Sequence, residues 1–178
     1  MISHSELLKK AARIKLIIFD VDGVLTDGKL YFDSKGREQK VFHVHDGLGI
    51  KLLQQSGVKV AIISSRNSTA VKKRMKNLGI EHIYQGQENK SIAFANLTKK
   101  LQVSPEQIAY VGDDLPDLPL ICKVGLGIAV ANAVPLVKQY AYWQTHAKGG
   151  EGAVREVCEI IMQAQGMLDE MQAHFLIS

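Results

Sequence analysis

Nothing in this chain limits its architecture more than the segment Asp20-Val21-Asp22-Gly23-Val24-Leu25-Thr26-Asp27-Gly28, which follows an apolar run over residues 14–19 interrupted only by Lys15. A short, Ile-rich apolar run reads as a buried strand. Carboxylates at Asp20, Asp22 and Asp27, placed where that strand must end, oppose folding by themselves. Like charges repel, and a carboxylate in a low-dielectric setting needs a cation or hydrogen-bond donors. A divalent metal would supply that cation, and open α/β sheets bind ligands at the carboxyl ends of their strands. The segment therefore predicts a metal-dependent site.

At 178 residues the chain is long enough for one domain with a full core, predicted to span residues 1–178. A net charge of +4 suits an anionic small substrate. The basic residues are too dispersed, and too little interleaved with aromatics, for a nucleic-acid partner. Cys122 and Cys158 lie far apart without CxxC spacing and read as two reduced core thiols. Residues 1–15 lack the uninterrupted apolar stretch of a signal peptide. No segment reaches the ~18 apolar residues of a membrane span. The expectation is a cytoplasmic protein with no membrane partner.

Strand and helix patterns alternate along the chain. Residues 5–13 read as an amphipathic helix. Residues 29–32 and 38–44 flank Asp33-Ser34-Lys35-Gly36 and predict a β-hairpin. Helices are predicted over 48–55, 67–78, 90–101 and 154–165. Strands are predicted over 58–63, 82–84, 108–111, 125–130 and 140–143, with a Gly-rich loop at 147–152. Such alternation predicts an α/β fold: a doubly wound, Rossmann-like, mostly parallel sheet with a β-hairpin insertion. The loops after its strands carry Asp20 and Asp22, then Ser64, Ser65 and Arg66, then Asp113, Asp114 and Asp117. The topology gathers these on one edge of the sheet.

Four pieces in order, DxDG at 20–23, Ser64 after a strand, Lys90 at a helix start, and Gly112-Asp113-Asp114 after another strand, resemble the haloacid dehalogenase-like phosphohydrolases over essentially the whole chain. Phosphoryl transfer needs an in-line nucleophile, charge neutralisation and a proton for the leaving oxygen. The resemblance implies Asp20 as a nucleophile that becomes an aspartyl-phosphate. It implies Asp22 as general acid and then base, and Ser64 and Lys90 as contacts to the phosphate. It implies Mg²⁺ held by Asp20, the Asp22 carbonyl and Asp113, an all-oxygen donor set that this ion prefers. Asp114 and Asp117 then hold ligands or waters from behind, Asp117 being equally readable as a helix-start carboxylate. Asp27 reads as an acceptor for turn N–H groups. Thr26 is either a loop hydroxyl or an active-site contact.

Many relatives bury their site under an inserted domain. The stretches 23–64 and 90–113 already hold required elements, so a compact cap of ~50 residues does not fit in either. Without a cap domain, a macromolecular substrate or a neighbouring subunit must cover the site. The hairpin at 29–44, the loop at 147–152 and the tail at 172–178 are candidate arms. DVDGVLTDG, Phe42-His43-Val44-His45-Asp46-Gly47-Leu48-Gly49-Ile50, Tyr84-Gln85-Gly86-Gln87, 110–114 and Gly149-Gly150-Glu151-Gly152-Ala153-Val154-Arg155-Glu156 closely resemble the capless 3-deoxy-D-manno-octulosonate 8-phosphate phosphatases. That resemblance implies a homotetramer whose neighbouring subunits act as the cap. It implies hydrolysis of an eight-carbon sugar-acid phosphate that feeds lipopolysaccharide synthesis. It carries substrate contacts onto Asp22, His43, Val44, His45, Asp46, Gly47, Lys51, Arg66, Arg74 and Lys90. Several cations suit a ligand bearing both carboxylate and phosphate, Arg through its bidentate fork.

Two residues depart from that family, which often has Arg at position 45 and Gly at position 65; His45 and Ser65 bear on fine specificity. His43 and His45 share the i, i+2 spacing of one strand face, but a zinc pair is not needed to account for the acidic residues. Arg74, within Lys72-Lys73-Arg74, is readable as a solvated helix face. The competing functions are a phosphatase for a nonulosonate 9-phosphate and a non-catalytic binding or regulatory subunit. A phosphomutase would need a closed, water-excluding site.

Overall fold

The apolar run ahead of the acidic loop becomes the central strand of the sheet. In the computed structural model, which describes residues 3–176, the chain runs through His4–Ala11 (α1), Leu16–Phe19 (β1), Tyr31–Phe32 (β2), Glu38–Gln39 (β3), Val44–Gln55 (α2) and Lys59–Ile63 (β4). It continues through Thr69–Asn77 (α3), His82–Tyr84 (β5), Lys90–Leu101 (α4), Ile108–Gly112 (β6), Leu118–Ile121 (α5) and Leu126–Ala129 (β7). Pro135–Tyr140 (α6), Trp143–Gln144 (β8), Ala153–Ala164 (α7) and Leu168–Ala173 (α8) complete it.

Six strands form one sheet in the order β5-β4-β1-β6-β7-β8, every neighbouring pair parallel. β1 lies between β4 and β6, with Phe19 in register with Ile62 and Val111. All four β1 residues are buried, as a parallel sheet covered on both faces requires. One group of helices joins α2 to α7, with α1 and α8 against α7; another joins α4, α5 and α6. The doubly wound α/β prediction therefore holds. β2 and β3 form a separate antiparallel hairpin inserted directly after the acidic loop.

The hairpin's second arm is shorter than predicted. Val44 opens α2 rather than ending a strand, because Asp46 in the first turn complements the helix dipole. His43 and His45 therefore do not share a strand face: one stands at the N-cap position, without a side-chain cap bond, and the other sits in the first turn. Their rings still meet edge-on, 4.9 Å apart. Tyr140 closes α6 instead of opening a strand, and β8 is the two residues Trp143–Gln144. The short helices α5 and α6 are additional to those predicted; Pro119 and Pro135 stand in their first turns, a position to which Pro is well suited. Cys158 is buried as expected; Cys122 is exposed and is not a core thiol. Residues 1–2, and 177–178 at the end of the tail named above, lie outside the described residues.

Candidate active site

β1 delivers Asp20 directly to the sheet edge: its N–H donates to Val111 O at 3.0 Å, prolonging the ladder by one step. Beyond it the chain must turn sharply. Gly23 adopts φ +91°, and a Cβ there would overlap the Asp113 carboxylate. Thr26 ties the turn. Its Oγ1 accepts from Gly23 N and Gly28 N, both at 3.3 Å, and donates to Val21 O. Thr26 is thus a loop hydroxyl. Asp27 accepts from Lys29 N at 3.0 Å and Tyr31 Oη at 2.7 Å, the turn role read from the sequence. The Gly-rich loop packs against this turn in its own chain: Gly150 N donates to Val24 O at 2.9 Å. A Cβ on Gly149 or Gly150 would collide with backbone of the acidic loop.

A buried polar cluster connects β1, α4 and β6. Lys90, the first residue of α4, places Nζ 2.7 Å from Asp20 Oδ1, 2.7 Å from Asp117 Oδ1 and 3.3 Å from Tyr110 Oη. Tyr110 donates to Asp117 Oδ1 at 2.6 Å. The other Asp117 oxygen accepts the N–H groups of Asp113 and Asp114 at 2.9 and 3.2 Å. Asp117 therefore links the cation to the loop bearing Asp113. Asp114 is peripheral, capping the turn through Leu115 N at 2.8 Å.

Carboxylate oxygens of Asp20, Asp113 and Asp117 lie within 4.8 Å of one another. Burial, then Asp117, pushes Asp20 up to about 7, with Lys90 opposing. Burial, then Asp20 and Asp117, pushes Asp113 up to about 8. Burial also disfavours charge on Lys90, but Asp20 and Asp117 outweigh it and raise its pKa. One buried acceptor, Asp113 Oδ1, has no hydrogen-bond partner. Both Asp117 oxygens are occupied, which leaves Asp20 and Asp113 as the side chains free to bind a cation. An orphaned carboxylate oxygen within an all-oxygen, electron-rich group fits a hard divalent ion such as Mg²⁺.

Asp20, Asp22, Ser64, Arg66, Lys90 and Asp113 line one cleft of about 240 Å³. Ser64 is buried at the end of β4, its N–H on Tyr84 O. A larger cleft, of about 840 Å³, opens beside Trp143, but no acidic residue lines it. Two residues beyond the sequence predictions border the site. Lys40, just past β3, pairs with Asp22 Oδ1 and lies 2.9 Å from Glu38 Oε1. Glu38 also binds Arg66 Nη2 at 2.8 Å. The signal available was the i, i+2 spacing of Glu38 and Lys40, which puts two opposite charges on one strand face.

The remaining predicted contacts do not line the cleft in a single chain. Lys51 is exposed on α2. Arg74 is half-buried with its guanidinium against Gly47. Asp46 is buried, and its Oδ1 accepts Arg155 N at 2.9 Å, capping α7 from the side. Asp46 Oδ2 and His43 Nδ1 are buried without partners. Val44 is 76% exposed.

Residues 80–157 match the profile of the haloacid dehalogenase-like hydrolase family. The 3-deoxy-D-manno-octulosonate 8-phosphate phosphatase KdsC of Salmonella typhi is 52% identical over 166 residues, 93% of this chain and 88% of that protein. The structure of the 3-deoxy-D-manno-octulosonate 8-phosphate phosphatase of Moraxella catarrhalis, in complex with a magnesium ion, a phosphate ion and a KDO molecule, superposes with a TM-score of 0.94. It is 47% identical, over 96% of this chain and 98% of that one. A probable YrbI-family phosphatase from Pseudomonas syringae gives a TM-score of 0.96 at 52% identity, over 98% of this chain and 99% of that one.

Proposed function

This chain belongs to the 3-deoxy-D-manno-octulosonate 8-phosphate phosphatases of the haloacid dehalogenase-like hydrolases, and from that premise we propose how its own residues carry out the hydrolysis. It is a Mg²⁺-dependent phosphoric monoester hydrolase that releases phosphate and the free eight-carbon sugar acid. One observation supports this most: Lys90 bridges Asp20 and Asp117 beside the partnerless Asp113 oxygen, at the carboxyl edge of the sheet.

Asp20 is the nucleophile. Lys90 holds its Oδ1 at 2.7 Å, which fixes the carboxylate for in-line attack. As the Asp20–phosphorus bond forms, the bond from phosphorus to the sugar oxygen breaks, and Asp22 gives that oxygen its proton. Asp22 then takes a proton from the water that opens the aspartyl-phosphate. Ser64 Oγ and N–H groups of the acidic loop receive the phosphate oxygens. Asp20, Asp113 and the Asp22 carbonyl would hold Mg²⁺, which when bound would supply the positive charge that lets one anion approach another. Asp117 and Tyr110 support Lys90, and Asp117 also tethers the Asp113 backbone.

The sugar's carboxylate needs cations beyond this cleft. Arg66 is at its rim; Lys51, Arg74 and the segment 43–47 serve the site through subunit packing. Support comes from the absent cap domain and from the exposed apolar side chains Leu30, Phe32, Val41 and Val44 on and after the hairpin. We assign the assembly as a homotetramer and its place as the cytoplasm, in lipopolysaccharide precursor synthesis. Among the described residues, no helix is long and apolar enough to cross a membrane. The test is phosphate release from a panel of sugar phosphates, with and without Mg²⁺, together with Asp20→Asn. Selective, Mg²⁺-dependent turnover of the eight-carbon acid phosphate, abolished in a folded Asp20→Asn protein, is expected. Preference for a nine-carbon acid phosphate, or no turnover at all, refutes it.

A further inference from the structure

We propose that Lys40 is a positioning residue for proton transfer, holding Asp22 in place from the inserted hairpin. The inference rests on the reading that Asp22 moves the proton. Lys40 has only 1% of its side chain exposed. Burying an ammonium on a flexible stem costs both desolvation and rotamer entropy, so it persists only with good partners. Its partners are Asp22 Oδ1 and Glu38 Oε1. Glu38 binds Arg66 at 2.8 Å, and Arg66 Nε returns to Asp22 Oδ2 at 3.9 Å. Two anions and two cations thus alternate around a closed ring that joins the hairpin to the rim of the cleft.

Within that ring Lys40 provides the tight hold on Asp22. Among the described residues it is the one hydrogen-bond donor to the Asp22 side chain; Arg66 stands farther off and is 46% exposed. The loop that carries Asp22 leaves its side chain partly open, at 21% exposure, so among the described residues its orientation rests on Lys40 and, from farther off, on Arg66. A carboxyl group that serves as acid and then base must lie within hydrogen-bond reach of the leaving oxygen and of the attacking water. Binding one oxygen to Lys40 sets where the other points. Loss of that hold lets the carboxyl swing by an ångström or more, a displacement that costs on the order of 10²-fold in rate.

A double-mutant cycle on the full-length, Mg²⁺-loaded enzyme tests this, with phosphate release from the sugar-acid phosphate as the readout. Lys40→Met keeps the buried stem and removes the charge. It is expected to lower kcat by about 10–100-fold with KM within about 3-fold, because orientation and not binding is lost. Lys40→Arg should restore most of kcat. In an Asp22→Asn background, Lys40→Met should cost less than about 3-fold further, since the two residues act as a unit. Independent, multiplicative losses, or a Lys40→Met kcat within twofold of the parent, overturn the proposal while leaving the Asp22 assignment intact. Normal turnover by Asp22→Asn removes the step that Lys40 serves. Thermal unfolding followed by circular dichroism reports folding; if Lys40→Met does not fold, Lys40→Gln carries the same cycle.

Discussion

Replacing Asp117 with Asn tests whether this side chain, and not the metal ligands alone, holds the site together. Asp117 is 1% exposed and accepts four hydrogen bonds, two on each oxygen. An asparagine offers one acceptor oxygen. Whichever way its amide turns, either the Lys90–Tyr110 pair or the Asp113–Asp114 N–H pair loses its acceptor. Each buried donor left unpaired costs roughly 1–3 kcal/mol. Opposing this, Asn removes one of three clustered carboxylates. Asp117 is the second-largest cause of the raised Asp20 pKa and the third of the raised Asp113 pKa, so its removal relieves repulsion within the cluster. The metal-free protein should therefore lose a net stability of only roughly 2 kcal/mol, less than for a typical broken buried ion pair. The effect on metal should be larger. With the Asp113 N–H released, the half-saturating Mg²⁺ concentration for turnover should rise by about 10–100-fold, the usual consequence of losing a residue behind a metal ligand. Urea unfolding without metal and an Mg²⁺ activation curve at saturating substrate measure the two effects. A half-saturation point within twofold of the parent, in a protein that has lost stability, refutes the claim that Asp117 positions Asp113. A gain in stability shows that repulsion outweighs the hydrogen bonds.

The raised Asp20 and Asp113 pKa values make the metal-free protein pH-sensitive in a definite direction. Both folded-state values, about 7 and about 8, exceed the ordinary 3.8, so the native state holds protons that the unfolded chain has released. Their contribution is complete below about pH 4 and is lost as pH rises through 7 and 8. Chemical denaturation without metal should accordingly show lower stability at pH 8.5 than at pH 6, and saturating Mg²⁺ should flatten the slope by favouring the ionised carboxylates; a rise with pH in the metal-free protein contradicts the burial argument. Gly23→Ala meets both a positive φ and the Asp113 carboxylate. It should destabilise the fold by about 2 kcal/mol and abolish Mg²⁺-dependent turnover, as read by thermal unfolding and phosphate release; near-parental turnover would show that the acidic loop tolerates a shift.

How much of this could be read in advance differs from residue to residue. Periodicity was enough for β1, β4 and β6, because a strand buried on both faces has to be apolar throughout. It failed at 44–47, where Val44 and His45 look strand-like but Asp46 favours a helix start through the dipole of α2; that Asp46 also caps α7, more than a hundred residues away, no local pattern records. It gave no signal at α5 and α6, which are only four and six residues long, too short for a helical period to show. The Gly-rich loop was visible as a loop, but two of its glycines, Gly149 and Gly150, answer to the backbone of residues 23–27, which no local pattern records.

The sequence by itself determined which reactive groups meet: carboxylates after two apolar strands, a hydroxyl after a third and a lysine at a helix start are brought to one edge by chain order and parallel winding, and their resemblance to the haloacid dehalogenase-like phosphohydrolases implied the chemistry. Only the tertiary structure decided how the acids divide their work. Asp117, indistinguishable in sequence from a helix-start carboxylate, holds Lys90 and the Asp113 backbone because the turn after β6 and the start of α4 come together beside Asp20 at the end of β1. Lys40 and Glu38 reach Asp22 and Arg66 because the hairpin folds back to the rim of the cleft. The physical reason is the same in both cases. A buried charge is tolerated only in the company of particular partners, and those partners come from segments that the sequence keeps far apart.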